Sequence, residues 1–330
     1  MGLKMYIAKK IFFALIAYFI AITIVFFLYH IMPGNPVDLF AMDPRMPPEV
    51  RDHMIELWGL DKPILEQYFI YLGNLFRGEL GDSFFYKTSV TSLIGEALPW
   101  TLLLLGTSFI INAIVGIFLG AYVAWRRGSN LDTGFVLTYN IYNAFPLFFV
   151  GLLFLSIFGY QAKIKGWAIW FPVFGAMDPG AFDGGIFPGI LDVLHHLALP
   201  LLVLTLFGIL SWSWFMRGNL IGVLTEDYVQ TARAKGLNDN KVLYKHSMRN
   251  AILPVITNIG MSIGGLIGGS ILIETVFGYP GTGLLIYNAL LENDYNLVQG
   301  AFIIIAGITL LGLLISEILY AIIDPRIRTS

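Results

Sequence analysis

Charged side chains are scarce in this chain, and cysteine is absent. Of its 330 residues, 13% are charged and 57% are hydrophobic, and the mean hydropathy is +0.74. This composition excludes an ordinary soluble domain and indicates an integral membrane protein. The lack of cysteine leaves no disulfide and is compatible with an oxidising outer face. The net charge of −2 points to no class of partner, and nucleic acid is not among the expected ones.

Motifs for nucleotide chemistry and catalysis are missing as well. The chain has no Gly-Lys dipeptide, which excludes the phosphate-binding loop GxxxxGK[ST]. No nucleophile and base are visibly arranged for catalysis, so we predict no catalytic residue and no cofactor in this chain. His195 and His196 are adjacent, and on a helix they face different directions, which makes them a poor metal pair. We therefore predict a protein that is not an enzyme and holds no metal.

Six stretches without Asp, Glu, Lys or Arg are long enough to cross a hydrocarbon core, which needs about 20 apolar residues. These stretches predict an all-α polytopic membrane protein with six transmembrane helices and both termini on one side. The last stretch continues past Glu317, for which we expect a hydrogen-bonding partner on another helix. The predicted spans comprise residues 11–31, 97–125, 133–162, 193–216, 250–273 and 295–316.

The basic residues predict the orientation of these spans. Lysine and arginine near span ends concentrate on the cytoplasmic side of membrane proteins. In a six-span model one side receives most of the basic residues that lie close to spans, so we predict cytoplasmic termini and a multi-pass protein of a prokaryotic cell membrane. These residues are Lys4, Lys9, Lys10, Arg126, Arg127, Arg217, Arg233, Lys235, Lys241, Lys245, Arg249, Arg326 and Arg328.

Two outer loops are predicted on the opposite side. In the long one, residues 32–96, Pro47-Pro48 can start a short helix that Gly59 ends, and Asp61 with Pro63 can start a second. Ile64, Tyr68, Tyr71 or Leu72, and Leu75 would share one face of the second helix. The other loop, residues 159–194, carries Trp167, Trp170 and Phe171. Its aromatic residues favour anchoring at the lipid headgroups, although the loop could also receive a binding protein.

A polar, basic insert at Thr225–Thr257 separates two apolar segments. Thr225 can cap a helix with Glu226 and Asp227 in its first turn and Arg233 and Lys235 in its last, and these charges complement the helix dipole. Gly236 is placed to end this helix. Asn238 or Asp239 can cap the next one. The pattern predicts a cytoplasmic helix-turn-helix that docks another protein. A merely solvated basic loop is the less favoured interpretation.

This insert resembles the coupling loop of ABC importer transmembrane subunits, which reads Glu-Ala-Ala, three residues, Gly, and later Ile-x-Leu-Pro. Gln230, Thr231, Ala232 and Gly236 occupy the corresponding places. Gln-Thr replaces Glu-Ala, and Leu253-Pro254 follows Gly236 by 17 and 18 residues, farther than in the maltose branch. Both departures are similar to the dipeptide/oligopeptide permease branch. The resemblance assigns ATPase coupling to Asp227, Tyr228, Gln230, Thr231, Ala232, Arg233, Ala234, Lys235, Gly236 and Leu237.

Two further segments resemble the same branch, and the likeness covers essentially the whole chain. PGNPVDLF with LWGLDKPILEQYFIYLGNLFRGELGDSFFYKTSV is similar to its N-terminal module. GGSILIETVFGYPGTGLLIYNALLENDYNLVQG is similar to its short helix and loop near the outer gate, which assigns that region to Glu274, Phe277, Gly278, Tyr279, Pro280 and Gly281. Glycines 260, 264 and 268, and also 265 and 269, recur every four residues and predict close helix packing.

The resemblance implies a type I importer fold with three regions. These are a tail and first transmembrane helix (1–31), an outer helical cap loop (32–96), and a five-helix permease core (97–330) with coupling loop 217–250. This chain would be the first-permease (B-type) subunit, paired with a second homologous permease in the lipid bilayer. Two ATPase subunits would bind ATP and Mg, and an extracytoplasmic solute-binding protein would deliver the ligand.

The substrate and the residues that line its route are not fixed by the sequence. The branch handles dipeptides and oligopeptides, and similar members import oligosaccharides or nickel, so we predict a peptide ahead of a sugar and place nickel last. The competing class is a secondary transporter or channel without ATPase partners. It is disfavoured because no span carries a clear series of Asp, Glu or His for a proton relay, and because the basic loop matches a docking element. A scaffold that docks proteins without transport is the third class.

Overall fold

The computed structural model describes residues 3–31, 47, 49, 62–266 and 270–323. These residues are helical apart from turns, loops and one isolated antiparallel bridge between Asp82 and Ser89, as the all-α prediction required. We number the helices in the described part of the chain α1 Leu3–Ile31, α2 Ile64–Phe76, α3 Val90–Trp125, α4 Asn130–Asn143, α5 Leu147–Ile164, α6 Ile186–Val223, α7 Asp227–Ala234, α8 Met248–Gly265, α9 Ile271–Val276, α10 Thr282–Leu291 and α11 Tyr295–Ile323.

Five described helices are long and apolar enough to cross a membrane, which makes this a polytopic membrane protein. They comprise most of α1 and α11 and the whole of α3, α5 and α6. The predicted fifth span corresponds to α8, which has Arg249 and Asn250 in its first turn and is less apolar than the others. Residues 267–269, which the prediction included in that span, lie outside the described residues. The count of six therefore stays a prediction.

The predicted third span is divided, because α4 ends at Asn143 and α5 begins at Leu147. Pro146 occupies the N-cap position of α5 with extended backbone angles. A proline has no amide hydrogen and disfavours helical geometry in the residue before it, which favours a break between the two helices at this point. Of the two helices, only α5 is long and apolar enough to cross a membrane.

The first and last long helices pack against each other in opposite directions. Lys10 Nζ of α1 forms an ion pair with Glu317 Oε1 of α11 at 2.7 Å, and Tyr18 Oη donates to the Ile303 carbonyl oxygen at 3.4 Å. Glu317 thus has the inter-helix partner expected from the sequence. Helix α11 also contacts α8, where a Cβ on Gly260 would meet Ser316 Oγ at 1.7 Å. Close packing is confirmed at Gly260, whereas the side-chain surroundings of the other four glycines lie outside the described residues.

Helix α2 lies against the end of α1. Its Tyr68 hydroxyl is 2.7 Å from Thr23 Oγ1, and the rings of Tyr68 and Tyr71 both pack on Phe26. The predicted helix and its inner face are confirmed, except that Ile64 is exposed. The first predicted loop helix, between Pro47-Pro48 and Gly59, and the proposed cap Asp61 lie outside the described residues.

Two helices are longer than the sequence indicated. Ser89 caps α3 by accepting a hydrogen bond from the Ser92 amide at 3.2 Å, so this helix begins seven residues before the predicted start at residue 97. Helix α6 continues to Val223, which places Arg217 inside a helix and starts the predicted coupling loop later than residue 217. Arg217 forms a two-point ion pair with Asp132, at 2.7 and 3.1 Å. The Arg217 guanidinium holds the pKa of the Asp132 carboxyl below its usual value.

Candidate coupling segment and outer turn

The coupling segment, residues 224–237, is a short helix suspended from the end of α6. Leu224 closes α6, and α7 follows after three residues, with Glu226 at the N-cap position in extended conformation. Thr225 does not cap α7, contrary to the prediction, because its hydroxyl donates to the Gly222 carbonyl oxygen at 2.7 Å. A hydroxyl can satisfy an unpaired carbonyl at the end of one helix instead of an amide at the start of the next. The two helices are thus joined by a tight turn.

One face of α7 is fixed to the body of the protein. Val229 and Ala232, three residues apart, are buried against Val242 and the rim formed by Trp125, Val223, Leu224 and Leu237. The guanidinium of Arg233 lies 5.0 Å from the centre of the Trp125 ring, within cation–π range. Asn250 of α8 donates to the Tyr228 hydroxyl at 2.8 Å. Helix α7 therefore rests on α3 and on the chain that leads into α8.

The end of α7 follows the sequence prediction. Gly236 has a φ of +71°, in the left-handed region that residues with a Cβ rarely adopt. Its amide donates to the Arg233 carbonyl oxygen at 2.9 Å, and the Leu237 amide donates to the Ala232 carbonyl oxygen at 3.4 Å. The next helix is capped by Asn238, whose Oδ1 accepts from the Asn240 amide at 3.0 Å. Asn238, one of the two predicted caps, is confirmed, and its helix leads through a π-helical segment at Lys241–Ser247 into α8.

The rest of the α7 surface is exposed. Most of the predicted coupling residues are exposed, while Ala232 is buried and Leu237 is half-buried. Exposed acidic, aromatic, polar and basic side chains with a fixed backbone form a surface suited to contact with another protein. The exposed members are Asp227, Tyr228, Gln230, Thr231, Arg233, Ala234, Lys235 and Gly236.

The outer turn, residues 270–284, contains the second predicted set. The carboxylate of Glu274 is fully buried and accepts four hydrogen bonds. Its Oε2 accepts from the amides of Gly283 and Leu284 at 2.7 and 3.1 Å. Its Oε1 accepts from the Thr101 hydroxyl at 3.1 Å and the Ser270 amide at 3.3 Å. Glu274 therefore fastens the start of α10 to α3, as an acidic group at a helix N-terminus can.

Burial sets the protonation behaviour of this turn. Loss of solvent around Glu274 raises the pKa of its carboxyl, against the opposing effect of the amides that donate to it. Burial, and then the nearby Glu274 charge, raises the pKa of the Tyr279 hydroxyl. The Tyr279 side chain is fully buried and meets Trp100 edge to face at 6.2 Å. Its hydroxyl has no hydrogen-bond partner within the described part of the chain.

The turn also supports the second outer loop. Gly278 has a φ of +55°, and a Cβ placed on it would lie 2.0 Å from the Phe174 ring. The Gly175 amide donates to the Phe277 carbonyl oxygen at 3.1 Å. Of the six predicted outer-gate residues only Pro280 is exposed. It borders a groove of about 290 Å³ that is also lined by Tyr86, Glu96, Trp100, Leu284 and Asn288.

Sequence reasoning missed the residues that hold these two segments in place. Trp125 supports α7 through its contact with Arg233, which lies 108 residues later in the chain. Thr101 reaches Glu274 across a separation of 173 residues. No local pattern marks either residue.

A further cluster of side chains has a pattern that is visible in the sequence. Asp192 and His196 stand four residues apart on α6, and Asp178 joins them. Residues four apart on a helix share a face.

Two family models match the chain. The model described as "Binding-protein-dependent transport system inner membrane component" matches residues 116–329. The model for the N-terminal part of this membrane component matches residues 3–105. The predicted resemblance therefore has independent support, and the two matches leave only residues 1–2, 106–115 and 330 uncovered.

Curated relatives agree over nearly the full length. The oligopeptide transport system permease protein AppB of Bacillus subtilis is 39% identical over 297 residues, 90% of each chain. OppB of Haemophilus influenzae, also an oligopeptide permease, is 36% identical over 98% of this chain and 99% of its own. The dipeptide permease DppB of Lactococcus lactis is 33% identical over the same shares. The chain belongs to the family of inner membrane components of binding-protein-dependent transport systems, in its dipeptide/oligopeptide ABC permease branch.

Proposed function

We propose that this chain is the first permease subunit of an ATP-driven importer for dipeptides or oligopeptides. A second, homologous permease would complete the translocation route. Two ATPase subunits would bind ATP and Mg, and an extracytoplasmic binding protein would deliver the peptide. The relatives support the substrate class, since their names specify oligopeptides or dipeptides. The observation that carries the coupling role is the exposed face of α7 on a firmly supported backbone.

The coupling residues identified from the sequence would dock on an ATPase subunit. Closure of the ATPase pair would push α7, and the rigid α6 from which it hangs would transmit this displacement into the membrane. Coupling between distant sites requires such a connected element with two arrangements. The Val229 and Ala232 contacts and the Arg233–Trp125 contact would pass the displacement to α3 and to the segment that leads into α8 as well. The predicted regions 1–31, 32–96 and 97–330 remain our division of the chain.

The proposed topology has six spans with cytoplasmic termini in the cell membrane of a prokaryote. The Lys10–Glu317 ion pair supports termini on one side, because it joins the start of α1 to the end of α11. The basic residues of the coupling segment support a cytoplasmic location for that side. Helices α9 and α10 and the outer turn would then form the outer-gate region, where Pro280 and its groove remain accessible to a partner.

Reconstitution tests the transport activity. The complete complex, purified from its native membrane and placed in proteoliposomes with its binding protein, should accumulate labelled peptide only with internal ATP and Mg. Oligosaccharide and nickel, offered in parallel, should not compete. Accumulation of a sugar or nickel in place of peptide would overturn the substrate class. Peptide uptake driven by an ion gradient without ATPase subunits would overturn the importer itself in favour of a secondary transporter.

Single-cysteine labelling tests the orientation, because the native chain has no cysteine. Lys235→Cys in the coupling segment and Lys165→Cys in the second outer loop replace exposed residues of one type. A membrane-impermeant maleimide should label Lys235→Cys in inverted vesicles and Lys165→Cys in right-side-out vesicles. The reverse pattern would contradict the proposed topology, and labelling of both from one side would contradict the span arrangement.

A further inference from the structure

Three metal-ligating side chains meet where the second outer loop touches α6. Asp192 and His196 are one turn apart on α6, and Asp178 comes from the loop. Their ligand atoms all lie within 4.8 Å of one another. His196 Nε2 is 3.6 Å from Asp178 Oδ1, and the Asp178 amide donates to Asp192 Oδ2 at 2.7 Å. This cluster, the loop–α6 triad, is separate from both the coupling segment and the outer turn.

The hydrogen bonds of His196 determine the role of its second nitrogen. Nδ1 lies 3.0 Å from the backbone carbonyl oxygen of Asp192. A carbonyl oxygen can only accept, so Nδ1 carries the hydrogen and donates it. In the neutral ring Nε2 then presents a lone pair. Within the described residues this nitrogen has no hydrogen-bond partner and faces the Asp178 carboxylate. A cation between the Nε2 lone pair and the carboxylate would be attracted by both groups.

The surroundings favour a metal that accepts imidazole nitrogen. The His196 side chain is 2% exposed, which fixes the ring, while the Asp178 side chain is 76% exposed and free to adjust. In metal sites the ligating histidine commonly donates its other N–H to a carbonyl or carboxylate, as Nδ1 does here. Ligands about 2.0–2.2 Å from tetrahedral zinc are about 3.4 Å apart, close to the 3.6 Å between Nε2 and Oδ1. Calcium and magnesium prefer sets of oxygen ligands without imidazole.

We propose that Asp178, Asp192 and His196 form an outer-face binding site for a divalent zinc-class metal ion. The ion would bind His196 Nε2 and one carboxylate oxygen from each aspartate, with solvent completing the coordination. It would fasten the loop to α6. Because the same loop rests on the outer turn through Gly175 and Phe174, metal binding would also brace the region that we assign to the outer gate.

Metal content of the intact complex tests the site. The wild-type complex, purified without a polyhistidine tag, is dialysed against micromolar zinc chloride and analysed by elemental mass spectrometry. Asp178→Asn removes a ligand at an exposed position where misfolding is not expected. Asp183→Asn, the same change in the same loop but outside the triad, is the control. Compared with the wild type, the Asp178→Asn complex should contain about one zinc ion fewer per copy of this chain. The Asp183→Asn complex should contain as much zinc as the wild type.

Cobalt absorption and thermal unfolding test the site further. Cobalt(II) chloride added to the wild type should give visible absorption bands that are absent in His196→Gln and present in His195→Gln, the neighbouring histidine that contacts the Trp170 carbonyl oxygen. Equal zinc content in wild type and Asp178→Asn would overturn the proposal. A second result would also overturn it: acidification, and not zinc, raises the unfolding temperature of the wild type but not that of His196→Gln. The cation at the triad would then be a proton.

Discussion

The coupling segment and the outer turn both resemble family motifs, and both contain a glycine with positive φ. They differ in burial. In the coupling segment the α7 residues face outward except for Val229 and Ala232. In the outer turn most side chains are buried or half-buried, and Pro280 is the one predicted gate residue that is exposed. A motif match therefore identifies residues of two kinds: those available to a partner, and those that hold the chain's own fold.

Gly236 and Gly278, the glycines with positive φ in the two segments, differ in the same way. A Cβ on Gly236 would meet no atom within 4 Å, so backbone conformation alone restricts this position. A Cβ on Gly278 would be restricted by its φ and would also overlap the Phe174 ring. The same substitution should therefore affect function at Gly236 and folding at Gly278.

Gly278→Val should give the largest effect. It combines a left-handed backbone, which disfavours a β-branched residue, with an overlap that displaces the Phe174 ring from the turn, so we expect a loss of about 3 kcal/mol or more in unfolding free energy. Thermal unfolding of the purified complex and the yield of assembled complex would measure it. A variant with wild-type yield and unfolding temperature would contradict the packing described for this turn.

Glu274→Ala should be the next most damaging change. It removes the acceptor of the Thr101 hydroxyl and of three amides, one buried and two partly buried, for which we expect a loss of about 2–3 kcal/mol. Glu292→Ala, at the exposed end of α10, is the matched control and should be near neutral. Thermal unfolding of both complexes provides the comparison, and equal losses in the two would show that burial of Glu274 is unimportant.

Gly236→Val should separate function from folding. The strain of a β-branched residue at positive φ is about 1–2 kcal/mol, which leaves insertion and assembly intact. The altered turn should reduce peptide uptake per ATP hydrolysed by roughly fivefold or more. Gly218→Val, at an exposed position of α6 with open space around it, should leave this ratio unchanged. Normal ligand-stimulated hydrolysis and uptake in Gly236→Val would remove the basis for the coupling role.

The pH dependence of stability should show the smallest effect. The pKa of Glu274 is raised above its ordinary 4.5, so between 4.5 and the raised value the native state binds more protons than the unfolded state. The associated stability is therefore present below pH 4.5 and is lost as the pH rises through the native pKa. The slope is at most about 1.4 kcal/mol per pH unit. Unfolding of wild type and Glu274→Gln across this range measures it, and parallel curves would contradict the assignment.

Local patterns predicted the local features well. The helix α2, the stop at Gly236 and the cap at Asn238 follow from short-range rules about periodicity, φ angles and side-chain oxygens. Thr225 shows the limit of these short-range rules. Its hydroxyl had two possible partners, and it donates to the carbonyl oxygen of Gly222. Hydropathy likewise found an apolar region at residues 133–162, and the structure divides this region at Pro146.

The sequence by itself determined that this is an all-α membrane protein of the peptide-permease branch, because apolar runs, charge placement and motif spacing are properties of neighbouring residues. Only the tertiary structure decided which motif residues are available to a partner. Burial of Glu274 depends on Thr101, support of α7 depends on Trp125, and the loop–α6 triad depends on Asp178 meeting His196. Contacts between residues far apart in the chain arise from how the helices pack, and no local pattern specifies them.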